Sequence, residues 1–422
     1  MSDVGLTTFR QPYTPVTFGA LAGLSRGALF DPVRHTPTHA WADAYGAVFE
    51  DVGLWKRARY FPQPGEDMHA AVARECRAVR RSVGLLDAST LGKIEVVGPD
   101  AAEFLERLYV NRFHTLAVGR CQYGVLLSEA GFVIDDGVIG RLAADRFHVT
   151  TTTGGAARVL HMMEDYLQTE FPELKVWLTS TTEQWAVIAV QGPRAREVLA
   201  PLVHGVDLEP GRLAHMGLAH GTICGVEARV FRVSFTGEAG YEVNVPADWG
   251  QGVWEAIWAR AATLGGVAYG TEAMHVLRAE KGFIIVGQES DGTVTPDDLG
   301  LSWAIGTSKR DFVGKRSLAR TDMVKPGRRQ LVGLLTTDER TVLEEGAQIT
   351  RERDPAVGSP ALGHVTSAYA SDAVGRPIAL ALVAEGRRRM GDRLFVPMPN
   401  GAIEVEVVSP VFYDPKGARL DG

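Results

Sequence analysis

The stretch KIEVVGPDAAEFLERLY, residues 93–109, decides the fold. Its first part reads as a strand, Gly98-Pro99 as a turn, and the remainder as a helix. Asp100 stands where an N-cap would, and Phe104, Leu105, Leu108 and Tyr109 fall on one helical face. The same order returns in WAVIAVQGPRAREVLAPLV, residues 185–203, with its Gly-Pro 94 residues later (192 − 98). Pro193 sits in the first turn, where a helix tolerates proline best. Two copies of strand, Gly-Pro and helix predict a duplicated α/β unit rather than a solenoid.

Working outward, EDMHAAVARECRAVRRSVG (66–84) predicts a helix ending at Gly84. ARVFRVSFTGEAGYEVNVP (228–246) has strand-like runs around a Gly-rich turn, and helices are expected over 248–265 and 270–282. From about 327 the texture changes to short β runs: QLVGLLTT, LGHVTSAYAS, IALALVAE, RLFVPM and IEVEVVSPVFY. They predict a separate C-terminal antiparallel β domain or barrel over 327–422. Residues 63–320 hold the two α/β sub-domains. Residues 1–62 have weak periodicity and many turn formers, and read as an extended lead-in. Its aromatic-rich GAVFEDVGLWKRARYFP (46–62) suggests packing on something larger, such as another chain.

The 422-residue chain is 45% apolar and 23% charged, a globular composition with room for two or three domains. A net charge of −7 argues against a general nucleic-acid or anionic-membrane binder. Cys76, Cys121 and Cys224 are odd in number and form no Cys-x-x-Cys pair, which suits a reducing cytoplasm. No apolar run approaches a membrane span, and the N-terminus lacks the pattern of a signal peptide. Neither G-x-G-x-x-G after a strand nor a P-loop motif is present, and the histidines lack a metal-site context. No metal is expected.

The acidic positions are more informative. GFVIDDGVIGRL (131–142) sets Asp135 and Asp136 inside an apolar run. Neighbouring strand residues point to opposite faces, so at least one carboxylate meets packed surroundings, which is costly unless compensated. Asp135 reads either as a group binding turn amides or as a functional one. Asp136, deeper in the run, reads as a candidate acid or base with a raised pKa. In FTGEAGYE, Glu238 reads as a capping or ion-pair residue. Arg278 and Glu280 lie in a helix otherwise apolar in texture. TTTTGG (150–155) reads as a strand end with a turn, or as a binding loop lacking a basic anchor.

These residues also carry a resemblance. VGLLDASTLGKIEV, GFVIDDGVIGRL, AVQGP, FTGEAGYEV, LRAEKG, DFVGKRSL and SPVFYDPKGARL resemble, in order, the glycine-cleavage T-protein (aminomethyltransferase) family across about 83–419. TTTTGGAARVL, LTSTTEQWAVIAVQGP and YGTEAMHVLRAEKGFIIVGQ are closer to one branch, the C-terminal half of the heterotetrameric sarcosine oxidase alpha subunit, as is the lead-in. The resemblance implies an α+β, three-domain ring around a tetrahydrofolate channel, with a C-terminal antiparallel β-barrel. It implies that Asp136, or its neighbour Asp135, is catalytic. It further implies that Glu242 holds the pterin edge, with Tyr123, Thr152, Phe235, Arg278, Trp303 and Tyr369 as further folate contacts. Phe235 stands where many members have Tyr, and Thr152 where T-proteins often have Asn. Arg278 remains open to a structural ion-pair role.

The implied function is capture of an iminium or formaldehyde, formed by oxidative N-demethylation, as 5,10-methylenetetrahydrofolate within a sarcosine-oxidase-like complex. Flavin and NAD are then expected only on partner chains. Those would be a flavin-bearing beta-like subunit, a dinucleotide-binding chain equivalent to the missing N-terminal half, and small gamma- and delta-like subunits. A small N-methyl amine would be the substrate. A free-standing tetrahydrofolate-dependent demethylase or aminomethyltransferase, and a non-catalytic assembly subunit, are the alternatives.

Overall fold

A computed structural model describes residues 34–209 and 211–421. The two Gly-Pro turns organise two sheets of the same layout. The first runs, edge to edge, Cys121–Leu127, Val133–Ala143, Arg146–Thr151, Gly92–Val97 and Trp177–Ser180. The second contains Leu218–Ile223, Val226–Phe231, Gly240–Pro246, Trp185–Gln191 and Gly84–Asp87 in the corresponding order, extended at its two edges by Val203–His204 and Val267–Ala268. Each unit follows its Gly-Pro strand with a helix, Ala101–Leu108 or Ala195–Leu199.

The repeated glycine has a physical reason. Gly98 and Gly192 adopt φ of +138° and +130°. A Cβ there would overlap the carbonyl of Lys175 or of Ser82. Only glycine combines that backbone angle with that approach. Asp100 does not cap its helix through its side chain. Its carboxylate instead accepts the Lys175 N–H at 2.8 Å, tying the turn to the edge of the sheet.

The helix predicted to end at Gly84 spans Met68–Arg81, capped by Asp67, which accepts the Ala70 N–H. Gly84 already belongs to the next strand, where a side chain would collide with Val79 and Tyr269.

The C-terminal sheet runs Gln348–Ile349, Gly363–Ser371, Arg376–Ala384, Arg329–Thr336, Gly401–Val408 and Arg393–Met398. Reciprocal hydrogen bonds between Thr350 and Phe395 join its two edges, which closes it into a barrel.

Shared apolar clusters join the three bodies pairwise. Cys121 of the first sheet packs with Leu218 and Phe231 of the second. Val125, Leu127 and Val133 of the first pack with Leu331, Ile378 and Leu380 of the barrel. Tyr269 and Leu277, beyond the second sheet, pack near Tyr369 of the barrel. Three bodies each touching the other two form a ring.

A buried ion network reinforces the last contact. Arg80 bridges Glu238 at 3.0 Å and Glu280 at 2.5 Å. Arg419 meets Glu238 at 2.8 Å, Lys281 meets Asp414, and Ser371 of the barrel donates to Glu280. Glu238 is thus an ion-pair residue.

The lead-in is folded where it is described; residues 1–33 lie outside the described residues. Val48–Val52 and Trp55–Tyr60 form a hairpin, and Arg34–His35 adds a third strand. Trp41, on the helix His39–Ala44, packs edge-on against Trp254 and Trp258 of the second unit. From Arg34 onward, then, the lead-in is not extended. Tyr60 and Trp55 lie on the hairpin, and Phe49 and Phe61 pack on this chain's own core. The aromatics reached their burial within the chain, so their presence does not call for a second one.

Candidate functional site

The site begins with the doubled aspartate on Val133–Ala143. Its pairing with Cys121–Leu127 slips between Leu126 and Leu127, opposite Ile134, so the bulge precedes the pair. Beyond it the alternation is regular and the two carboxylates part company.

Asp135 turns into the sheet's helix side and is 2% exposed. Its Oδ1 accepts the N–H groups of Asp136 at 2.8 Å and Thr152 at 3.0 Å. Its Oδ2 accepts the Thr152 hydroxyl at 3.1 Å, with Arg158 at 3.7 Å. TTTTGG provides this seat. Gly155, just before the helix Ala156–Thr169, has no Cβ because one would overlap the Asp135 carboxylate. The positive helix end adds to the stabilisation. Burial still holds the Asp135 carboxyl above its ordinary value.

Asp136 points to the other face. Its Oδ2 accepts the hydroxyl of Tyr123, and no other side chain donates to it among the described residues. Burial pushes its pKa up to about 7, opposed by the Tyr123 hydrogen bond and reinforced by the Asp135 charge. Burial and the Asp136 charge likewise raise Tyr123, so the phenol stays protonated and donating. The Tyr123 ring stacks with Trp303 at 6.0 Å between centroids. Trp303 is 69% exposed, which gives this corner an aromatic surface open to solvent.

Two residues along from Asp136, Val138 lines a narrow cleft between the two sheets. Lys93, His148 and Thr150 of the first sheet line it with Phe231, Glu242 and Asn244 of the second. The Glu242 carboxylate has no hydrogen-bond partner among the described residues, and burial raises its pKa to about 7 against the pull of Lys93. Lys93 is fully buried and donates to the carbonyls of Ser89 and Leu91, both at 2.8 Å. Burial lowers its pKa to about 8. An unpartnered carboxylate facing a cleft is a ready acceptor for a ligand's N–H groups.

The remaining expected contacts form a third group. Phe235 stacks with Phe283 at 6.1 Å. Arg278 departs from a binding role: it is 0% exposed and pairs with Glu289 at 2.7 Å. It also donates to Gln288, to Ser367 at 2.7 Å and to the Phe283 carbonyl at 3.0 Å, with the Tyr369 hydroxyl at 3.5 Å. It therefore braces Phe283, and through it Phe235, against the barrel. Thr152 also departs from a free ligand contact, since its hydroxyl is engaged by Asp135 and accepts the Gly155 N–H.

Tyr123, Asp136 and Trp303 are thus brought together, Glu242 stands in the adjoining cleft, and Phe235, Arg278 and Tyr369 cluster near the barrel. Sequence reading missed Lys93, His148 and Phe283. A lysine among the apolar residues of KIEVV was the available signal for Lys93.

Comparison with known proteins agrees with this layout. The family model of the GCVT N-terminal domain matches residues 38–309, and that of the glycine cleavage T-protein C-terminal barrel domain matches 329–414. The chain is 53% identical, over its whole length, to the sarcosine oxidase subunit alpha of Corynebacterium sp. (strain P-1), of which it covers 44%. It thus spans less than half the length of that relative. It is 30% identical to the aminomethyltransferase of Thermotoga sp. (strain RQ2), covering 90% of this chain and 98% of that one. The crystal structure of glycine cleavage system aminomethyltransferase T from Bartonella henselae superposes with a TM-score of 0.79 at 24% identity, covering 91% and 99% of the two chains, and shares the fold. On two family models and a relative covered nearly end to end, the chain belongs to the glycine cleavage T-protein family.

Proposed function

We propose that this chain is the folate-dependent one-carbon transfer component of a sarcosine-oxidase-like complex. The observation that carries the reading is Asp136, a desolvated carboxylate whose only side-chain hydrogen bond among the described residues comes from Tyr123. The residues present suit a reduced folate. Glu242 offers an unpartnered carboxylate to a paired N–H edge, and Tyr123, Trp303, Phe235 and Phe283 offer aromatic faces.

Tetrahydrofolate, when bound, supplies the amines that take up a one-carbon unit as 5,10-methylenetetrahydrofolate. The protein's own part is proton handling and charge. Asp136, with a pKa near neutrality, holds or releases a proton at physiological pH. In its ionised form it orients an N–H, accepts the proton released on nitrogen attack, and offsets positive charge on an iminium. Tyr123 fixes the rotamer of Asp136 through Oδ2, and Asp135 is held by its local amides. The one-carbon unit would come from oxidation of a small N-methyl amine on a flavin-bearing partner, with a dinucleotide-binding chain completing the assembly.

Two observations bear on a second reading, a free-standing tetrahydrofolate-dependent aminomethyltransferase or demethylase. The aromatics of 46–62 pack inside this chain, so they supply no argument for a partner, and the chain covers 98% of a curated aminomethyltransferase. Purification under native conditions, followed by sarcosine turnover with and without tetrahydrofolate, separates the readings. Co-purifying flavoprotein and sarcosine-dependent methylenetetrahydrofolate are expected. A monomer that turns over a methyl donor alone supports the second reading, and undiminished product from Asp136→Ala removes the assigned role of Asp136.

A further inference from the structure

His148 is a buried histidine, 1% exposed, on the wall of the same cleft as Glu242. Its surroundings define which ring nitrogen carries the proton. Arg229 Nη1 lies 3.2 Å from His148 Nδ1 and 2.5 Å from Glu95 Oε1. A guanidinium can only donate, so Nδ1 accepts and the proton resides on Nε2. Glu95 is too far from Nδ1, at 3.9 Å, to reverse that assignment. Arg146 holds the other Glu95 oxygen at 2.5 Å, and the Trp185 ring packs 4.0 Å from the Arg229 guanidinium. The arrangement fixes one neutral tautomer.

Nε2 is buried and has no hydrogen-bond partner among the described residues. A buried N–H left unmade is costly, and such exceptions in a folded protein call for a ligand or an ordered water. Across the cleft stands the unpartnered Glu242 carboxylate. His148 and Glu242 thus line one narrow cleft from opposite sheets, beside a Lys93 whose ammonium is engaged by carbonyls.

We infer that His148 is a specificity-determining contact, its Nε2–H donating to the ring acceptor that flanks the N–H pair met by Glu242. A 2-amino-4-oxopyrimidine edge has that pattern, two adjacent N–H donors bordered by acceptors. Glu242 alone accepts any paired N–H donors; His148 adds the requirement for a neighbouring acceptor. Arg229 and Glu95 are positioning residues, because they act by holding the tautomer. This inference rests on the folate reading above.

The test uses the full chain and 5-formyltetrahydrofolate, titrated by intrinsic tryptophan fluorescence, on wild type, His148→Gln and His148→Phe. Gln carries an N–H close to the position of Nε2–H; Phe fills the space without a donor. The expected result is a dissociation constant about 10-fold weaker for His148→Phe and near wild type for His148→Gln, the loss of about one hydrogen bond. Equal affinities in all three overturn the inference while leaving the folate reading intact. No binding by wild type overturns the folate reading and this inference together. Should His148→Phe fail to fold, selective 15N-histidine NMR of the wild type decides. The ligand must shift a protonated Nε2 signal that His148→Gln lacks; an unmoved signal, or a proton on Nδ1, overturns the assignment.

Discussion

Asp136→Asn should make the protein more stable and less active at once, and the structure sets the size and sign of both effects. Asn keeps the shape, and its amide oxygen still accepts from Tyr123. Only the charge is lost. Burial lifts the Asp136 pKa from 3.8 to about 7, so the folded state binds this proton more tightly than the unfolded chain. For an acid with a raised folded-state pKa, stability falls as pH rises from about 4 to about 7, and the penalty is complete above about 7. About three pH units at roughly 1.4 kcal/mol each put a ceiling near 4 kcal/mol, and the partial exposure of the side chain reduces this to about 2–4 kcal/mol. Urea unfolding of both proteins at pH 4.5 and 8.5 measures it. The variant should gain relative to wild type at pH 8.5 and show little of that gain at pH 4.5. Methylenetetrahydrofolate formation should drop by about 10²–10⁴-fold, the usual range for a lost acid–base group. A stability difference independent of pH would refute the claim that Asp136 is a desolvated carboxylate.

Three further outcomes follow from neighbouring groups. Glu242→Gln should weaken 5-formyltetrahydrofolate binding in a fluorescence titration, and should raise stability above about pH 7, where the buried carboxylate is ionised at a cost. Arg278→Leu should cost about 3–5 kcal/mol in denaturant unfolding, because Glu289 would remain buried without its cation. Arg278→Leu with Glu289→Gln should recover part of that loss, and an equal loss in both would show that the pair is not the cause. Gly155→Ala should displace the Asp135 carboxylate from its amides and cost about 1–3 kcal/mol by overpacking, read as a lowered melting temperature.

Much of the architecture could be read from local patterns. The two Gly-Pro turns announced the duplication because a strand-to-helix turn at φ near +130° demands glycine wherever it recurs. The short β runs after 327 announced the barrel, since strands and turns write themselves in contiguous residues. The described part of the lead-in does pack on something larger, but on this chain's own second unit, and as a helix and a small sheet rather than an extended segment. Aromatics in a weakly periodic segment signal burial without naming the surface, and here Trp41 found Trp254 more than two hundred residues away.

For the site, sequence alone determined that two carboxylates sat in an apolar strand and would have to be treated differently. Only the tertiary structure decided how. Asp135 is settled by the Thr152 amide and by the missing Cβ of Gly155, and Asp136 meets Tyr123 from the next strand. The same holds for Arg278, whose burial against Glu289 depends on where the barrel docks, and for His148, whose proton is placed by Arg229 from the other sheet. Residue type and spacing along one chain specify which groups are available. Desolvation and hydrogen-bond partnership arise from groups distant in sequence, and those two quantities decide which carboxylate is held still and which can exchange a proton.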